Sequence, residues 1–338
     1  MKNSIFGGLA ILVVGTAAGA GWLGSRVIFS HVAGAGTQSH TTFEPLPDSA
    51  IPKNQFGDEV RMGEQIFRDP GMHATQFVGN TLSCSNCHIQ AGRLAGASPM
   101  WGAYPAYPAY RSKNGHVNSF EERLQGCFRY SMNGEPPKLG DPVLVALESY
   151  AYFLAKGLPT GEDPPGRGFP TLPKPPMPAD YARGGQVYAA NCASCHGPQG
   201  LGQSSGGKLV FPPIWGPESF NWGAGMASIK NAAEFIRANM PYGRGGTLSV
   251  QQAWDVATYI DSQVRPQDPR FTGDVQQTRK KFHDSPSDMY GRTVNGAVLG
   301  DPASTPPAGT VPAPVSAAAT APTALPAVRP GGSDAREP

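Results

Sequence analysis

Apolar residues recur at helical spacing in a few short stretches of this chain, and outside them the pattern dissolves into loops. Ile66 and Phe67 close the run Arg61 to Phe67. Val143, Leu147, Tyr150 and Leu154 fall on one face of a stretch opened by Asp141-Pro142, a helix start with proline at the first helical position. Ala233 and Ile236 mark a further amphipathic helix, and Ala253, Trp254, Ala257 and Ile260 supply the inner face of another, opened by a capping box of Ser249 with Gln252. At the start of the chain the pattern differs. Lys2 precedes an uncharged run from Asn3 to Ser25, centred on Leu9 to Val14, long enough at ~20 residues to span a bilayer and equally readable as a secretory signal. Ala18-Gly19-Ala20 and Ala33-Gly34-Ala35 both resemble small-residue cleavage sites. After Arg265 the hydrophobic periodicity is lost, and from Asp301 the chain is rich in Ala, Pro and Thr without an aromatic residue.

Two of these stretches are copies of one template. Gly63, two residues, Ile66 and Phe67 are matched by Gly184, two residues, Val187 and Tyr188, and each copy ends in one of the periodic helices above. The expected organisation is therefore a signal peptide or membrane anchor at 1–35, a tether at 36–56, a first domain at 57–156, a proline-rich linker at 157–180, a second domain at 181–265, and a disordered tail at 266–338. The first copy carries an inserted loop from Arg68 to Asn80. Composition sharpens the picture: 43 Gly and 35 Pro in 338 residues predict short helices joined by long ordered loops, and a net charge of +2 argues against a nucleic-acid partner.

Each copy contains Cys-x-x-Cys-His, as Cys84-Ser85-Asn86-Cys87-His88 and Cys192-Ala193-Ser194-Cys195-His196. One helical turn then presents two sulfurs to one edge of a macrocycle and an imidazole to its iron, which is the attachment signature of covalent haem c. Zinc bound by two cysteine pairs would not require a histidine after both. The expected fold is mainly α, two tandem cytochrome c-like domains carrying two haems, with Cys84, Cys87, Cys192 and Cys195 in thioether bonds and His88 and His196 on the irons. Such a protein works on the oxidising, periplasmic side of a bacterial inner membrane, and is anchored there if the N-terminal segment is retained.

The sixth ligands are sought between the amphipathic helices. In the second domain Met240, within Asn239-Met240-Pro241-Tyr242-Gly243, is the expected ligand, with Met226 as the rival. In the first domain both Cys127 and Met132 lie in the corresponding interval. Cys127 is the one cysteine of five left over by the haem motifs, and Arg111, Lys113, Arg123 and Arg129 flank it. A cationic field of that kind favours a thiolate, which is a nucleophile and an iron ligand, and would hold a small dianion by charge-assisted hydrogen bonds.

The segment Gly126-Cys127-Phe128-Arg129-Tyr130-Ser131-Met132-Asn133-Gly134, together with two haem motifs and Asn239-Met240-Pro241-Tyr242-Gly243, resembles the dihaem thiosulfate dehydrogenases across about residues 57 to 265. The resemblance implies that Cys127 is the distal ligand of a catalytic first haem, that Arg123 and Ser131 bind substrate together with Arg111 or Lys113, and that Met240 stands where some members carry a lysine. It implies oxidation of two thiosulfates to tetrathionate, with electrons leaving through the second haem to a small soluble cytochrome c or similar acceptor. The alternatives are a non-catalytic dihaem electron carrier and a tetrathionate reductase.

Overall fold

The computed structural model describes residues 42–304, so the N-terminal segment read as a signal peptide or anchor, and the chain beyond Ser304, lie outside the described residues. Among the described residues no helix is long and apolar enough to cross a membrane. The principal helices are α1 (Gln55–Arg68), α2 (Phe120–Gly126), α3 (Pro142–Leu154), α4 (Tyr181–Asn191), α5 (Ile229–Asn239), α6 (Val250–Asp261) and α7 (Val275–Phe282). Among the described residues strand is confined to three two-stranded antiparallel hairpins, β1–β2 (Ala109–Arg111 with His116–Asn118), β3–β4 (Gln203–Ser205 with Lys208–Phe211) and β5–β6 (Thr293–Val294 with Ala297–Val298). The fold is two cytochrome c-like halves, mainly α.

Each half is framed by its opening and closing helices, and the crossing is made at a glycine. A Cβ on Gly63 would lie 2.0 Å from the Ala146 carbonyl oxygen and 2.8 Å from Cβ of Tyr150, and a Cβ on Gly184 would lie 2.1 Å from the Asp255 carbonyl oxygen and 2.8 Å from Cβ of Tyr259. Only a residue without a side chain admits α3 onto α1, and α6 onto α4, at that separation. The aromatic partner follows from the same register: the Phe67 and Tyr150 rings are 5.8 Å apart, and the Tyr188 and Tyr259 rings 5.5 Å apart. The helix starts are capped as their sequences dictate. Asp141 accepts from the Val143 amide ahead of Pro142, and the Ser249 hydroxyl accepts from the Gln252 amide while Gln252 returns a carbonyl to the Ser249 amide. Ile66, Phe67, Leu147, Tyr150, Leu154, Ala253, Ala257 and Ile260 are buried, whereas Val143 and Trp254 sit at the edge of the core.

The inserted stretch after Arg68 forms a short helix over Pro70–His73 and a 3-10 turn over Thr75–Phe77. The proline-rich linker runs from one half to the other. Gly166 and Gly168 accept at their carbonyls from the Gly96 and Ser98 amides, and further along the Leu172 amide donates to Glu234 and the Pro173 carbonyl accepts from Trp254 Nε1.

Two expected boundaries differ. The tether at 36–56 is docked from residue 42 onward: Phe43 packs on Trp101 at 5.4 Å, the Leu46 carbonyl accepts from Arg93, and Arg93 pairs with Asp48. Helix α1 accordingly starts at Gln55, capped by Asn54. The tail expected to be disordered from 266 is folded as far as Ser304, with α7, the β5–β6 hairpin, and Tyr290 and Leu299 buried. Periodicity missed it because its order rests on polar groups. Asp268 and His283 are buried and hydrogen-bonded to each other at 2.9 Å, and Thr278 is buried with its hydroxyl on the Asp274 carbonyl.

The glycine crossing is testable. Gly63→Ala should lower stability by about 2 kcal/mol or more, because a methyl group is driven into backbone rather than into a side chain that could move. Gly71→Ala, whose Cβ would approach Asp69 no closer than 3.6 Å, should be nearly neutral. Thermal unfolding of the holoprotein followed by haem-band circular dichroism checks both; equal midpoints in the two variants would refute the crossing argument.

Candidate active site

Both haem motifs form the single turn their spacing requires. The His88 amide donates to the Cys84 carbonyl at 3.0 Å and the His196 amide to the Cys192 carbonyl at 2.9 Å, so each histidine stands one turn beyond the first cysteine. Each imidazole is oriented by a main-chain acceptor: Nδ1–H of His88 donates to the Ser98 carbonyl at 2.6 Å and that of His196 to the Pro212 carbonyl at 2.8 Å. That bond leaves Nε2 with a lone pair for a metal. Burial pushes His88 down to about 4 against the pull of the Ser98 carbonyl, with Arg123 adding to the shift, and burial likewise lowers His196. Both imidazoles are therefore neutral at physiological pH, the form that ligates iron. All five cysteines are free of disulfides, and among the described residues no group of three or more His, Cys, Asp or Glu could hold a metal ion. The residues fit covalent haem c, one in each half: sulfurs from Cys84 and Cys87 or Cys192 and Cys195, and iron on His88 or His196.

The first half adds a feature absent from the simple motif. Burial, and then the neighbouring sulfur of Cys127, push the Cys87 thiol up to about 11, and the same two causes raise Cys84, so the Cys127 sulfur lies within electrostatic reach of both. Helix α2 positions it. Ser119 caps the helix through Glu122, and Arg123 then lies one turn before Cys127, its Nη1 3.0 Å from the Cys127 sulfur. At Cys127 the helix widens into one turn of π-helix, Cys127–Ser131, closed by the Met132 amide donating to the Cys127 carbonyl at 2.9 Å.

A helix end leaves carbonyls without intrahelical partners. Here they are taken up from outside the turn. Asn221, in the second half, donates its amide to the Tyr130 carbonyl at 3.1 Å and its side-chain Nδ2 to the Arg129 carbonyl at 2.9 Å; Asn80 donates Nδ2 to the carbonyls of Ser131 at 2.9 Å and Ser219 at 3.1 Å. The cysteine turn is thus a seam between the two halves.

The basic residues flanking Cys127 in sequence separate in space. Arg123 touches the sulfur. Arg111, 8% exposed, donates Nη1 to the Tyr107 hydroxyl at 2.8 Å, and Tyr107 in turn lies within the electrostatic reach of Arg123, Arg111 and Cys127, its ionisation opposed chiefly by burial. Lys113 turns to the seam, on the Gly223 carbonyl and 4.5 Å from the centre of the Tyr130 ring. Arg129 is exposed. Ser131 ends the π-turn, and Met132 is buried at 2%. Tyr107 escaped the sequence reading because Ala103 to Tyr110 is a monotonous alternation of Ala, Tyr and Pro in which nothing distinguishes one tyrosine. In the second half Met240 follows α5 directly, its amide on the Ile236 carbonyl at 2.9 Å and its side chain partly buried; the rival Met226 lies in a 3-10 turn over Gly225–Ala227.

Comparison with known proteins agrees with this architecture. A family profile described as "SoxA/TsdA, cytochrome c domain" matches residues 71–160, and one described as "Cytochrome C oxidase, cbb3-type, subunit III" matches residues 179–260. Over 259 residues the chain is 59% identical to a thiosulfate dehydrogenase of Thiomonas intermedia (strain K12), covering 77% of this chain and 82% of that protein. The chain belongs to the thiosulfate dehydrogenase family. A second member, from Stutzerimonas stutzeri (strain A1501), is 51% identical over 76% of this chain and 85% of its own. The solved thiosulfate dehydrogenase (TsdBA) from Marichromatium purpuratum superposes with a TM-score of 0.75 at 48% identity, covering 77% of this chain and 58% of that longer one. As a member of this family the protein is a cytochrome c oxidoreductase, and its two domains carry covalently bound haem c.

Intact mass should therefore show two covalent haem increments on the holoprotein, and the double variant Cys192→Ala, Cys195→Ala should retain one. A haem-free mass for that variant would show that the first half cannot hold its cofactor alone.

Proposed function

We propose that the protein oxidises two thiosulfate ions to one tetrathionate in the periplasm, with Cys127 as nucleophile and first-haem ligand, and that the two electrons leave through the second half to a small soluble cytochrome c or similar acceptor. The observation that carries this reading is Arg123 Nη1 at 3.0 Å from the Cys127 sulfur, in the half whose haem-attaching thiols feel that same sulfur. Bound haem c supplies one-electron acceptors, two of them for a two-electron oxidation.

The residues divide the work. The Cys127 thiolate bonds to the outer sulfur of one thiosulfate, giving a cysteinyl S-thiosulfonate and releasing two electrons. A second thiosulfate attacks that outer sulfur; the new sulfur–sulfur bond makes tetrathionate as the bond to Cys127 breaks and the electron pair returns to the cysteine as thiolate. Charge balances in both steps. Bringing two dianions together requires fixed positive charge in a site of low dielectric. Arg123 provides it at the sulfur, Arg111 provides it beside Tyr107, and the Ser131 hydroxyl is the proposed neutral donor to a sulfonate oxygen. Lys113, committed to the seam, is left out of the substrate set.

Met240 is the proposed sixth ligand of the second iron. Thioether sulfur favours the ferrous state, which makes the second half a suitable receiver of electrons from the first.

Replacing Cys127 with Ser should leave both haems attached and lower tetrathionate formation by about a thousandfold or more. Loss of the thiolate-type spectrum at one haem should accompany it. Normal turnover in Cys127→Ser would reduce the protein to an electron carrier. Met240→Ala should lower the potential of the second haem by on the order of 100 mV while thiosulfate binding is kept. An unchanged redox titration would place the ligand elsewhere.

A further inference from the structure

The folded segment after Arg265 lies beyond the second cytochrome template, yet it reaches the cysteine turn. The Trp222 amide donates to the Pro266 carbonyl at 3.1 Å, which sets the segment beside Gly223. Gly223 has no room for a side chain: a Cβ there would lie 2.4 Å from Cδ1 of Tyr130 and 3.0 Å from Oδ2 of Asp268. Tyr130 stands three residues after Cys127 inside the π-turn and is 9% exposed. The Arg270 guanidinium carbon sits 5.1 Å from the centre of the Tyr130 ring and 4.4 Å from that of Phe282. Cations in such positions are held by the negative faces of aromatic rings.

Arg270 is itself gripped from behind. Its Nε and Nη2 donate to the two carboxylate oxygens of Asp268 at 3.0 and 2.6 Å, a bidentate pair in which Asp268 is fully buried. Asp268 Oδ2 also accepts from His283 Nε2 at 2.9 Å, and His283 Nδ1 donates to Asp288 at 2.7 Å. Donation from both ring nitrogens requires the imidazolium. Burial works against it, but the two carboxylates outweigh burial and hold His283 above its ordinary value. The His283 ring stacks on Tyr290 at 4.2 Å, which closes the segment on itself. The chain His283, Asp268, Arg270, Tyr130 is thus joined by direct contact at every link, and it ends on the turn that carries Cys127.

We propose that the segment from Pro266 to Tyr290 is a clamp on the cysteine turn, and that Arg270 is its positioning residue, acting on Cys127 through the ring of Tyr130. This rests on the reading of Cys127 as ligand and nucleophile. A sulfur that changes partner during each turnover needs its own backbone held still, and the π-turn by itself is one widened loop of helix. Main-chain carbonyls of the turn are held by Asn221 and Asn80, and of its two buried rings, Phe128 and Tyr130, the second is held by Arg270. The clamp therefore serves reaction geometry and leaves substrate charge to Arg123 and Arg111.

The test uses the full holoprotein with both haems attached. In Arg270→Ala, kcat should fall about tenfold, as expected for a reacting group displaced by less than an ångström, while KM for thiosulfate stays within about twofold. The electron paramagnetic resonance signal of the ferric first haem should broaden or split, and that of the second haem should match the wild type. Arg270→Lys, which keeps the charge and a donor for Asp268, should recover most of the rate. Arg279→Ala, which loosens the same segment at the Tyr290 carbonyl away from Tyr130, should leave the first-haem signal unchanged. If Arg270→Ala does not accumulate as holoprotein, Arg270→Gln carries the same expectation, since it keeps the stem over Phe282. A wild-type rate and signal in Arg270→Ala or Arg270→Gln overturns the clamp, as does an equal loss in Arg279→Ala, which would mark a general structural role. An inactive Cys127→Ser beside a normal Arg270→Ala sinks the clamp alone, whereas an active Cys127→Ser sinks the reading beneath it.

Discussion

A carbonyl oxygen pressed against a glycine α-carbon sets the frame of each half: that of Ala146 over Gly63, and that of Asp255 over Gly184. The contact fixes how deeply the closing helix settles on the opening one, and the aromatic pairs Phe67 with Tyr150 and Tyr188 with Tyr259 are then in register. The haem motif follows the opening helix in both copies and is tied back to the frame by a tyrosine hydroxyl. Tyr150 donates to the Ala91 carbonyl at 2.7 Å in the first half, and Tyr188 donates to the Gly197 carbonyl at 2.6 Å in the second. A side chain at either glycine would separate the helices and carry the attachment turn with them.

From this shared frame the halves diverge in what they leave open. The second half locks its helices with charge: Asp255 takes Nε and Nη2 of Arg183 at 2.8 and 2.9 Å and the Asp180 amide at 2.8 Å. Met240 there directly follows the amphipathic helix α5, its amide on the Ile236 carbonyl. The first half places Cys127 on a π-turn instead, with an arginine on the sulfur and a tyrosine hydroxyl that accepts from a second arginine. A widened turn presents its side chains at a spacing that an α-helix does not offer, but it also strands main-chain carbonyls. The second half meets that need through Asn221. The cysteine turn of the first half is thereby completed by the second half, which links its geometry to the association of the two domains.

Order beyond the two templates draws on polar contacts, partly exposed at residues 42–54 and buried in the segment after Arg265. Residues 42–54 dock through Arg93, on the Leu46 carbonyl and Asp48, and the segment after Arg265 closes around Asp268 and His283. Buried charge is costly unless each lone pair and proton is matched, and here the matching is nearly complete within a short stretch of chain. The linker between the halves behaves likewise, and one of its carbonyls, that of Gly168, binds the amide of Ser98, whose own carbonyl orients His88.

Sequence alone determined what depends on neighbours along the chain. The haem-attaching turns, the capped helices at Asp141-Pro142 and Ser249 to Gln252, the repeated Gly-x-x-aliphatic-aromatic frame and the singular position of Cys127 are all set by residues within a few positions of one another, where periodicity and backbone chemistry speak directly. The approach of Arg123 to Cys127 belongs to the same class, being one helical turn. Tertiary structure decided the rest. Tyr107 gains its place beside Arg111, Arg123 and Cys127 only when the β1–β2 region folds over α2, Lys113 is drawn to the seam by Gly223 and Tyr130, and the supposed tail becomes ordered through Asp268 and His283, fifteen residues apart in the chain. Each of these rests on a polar or aromatic contact between distant segments. Such contacts leave no period in the sequence, because a single well-matched hydrogen bond or ion pair needs one residue at one place, whereas a hydrophobic face must repeat to be buried.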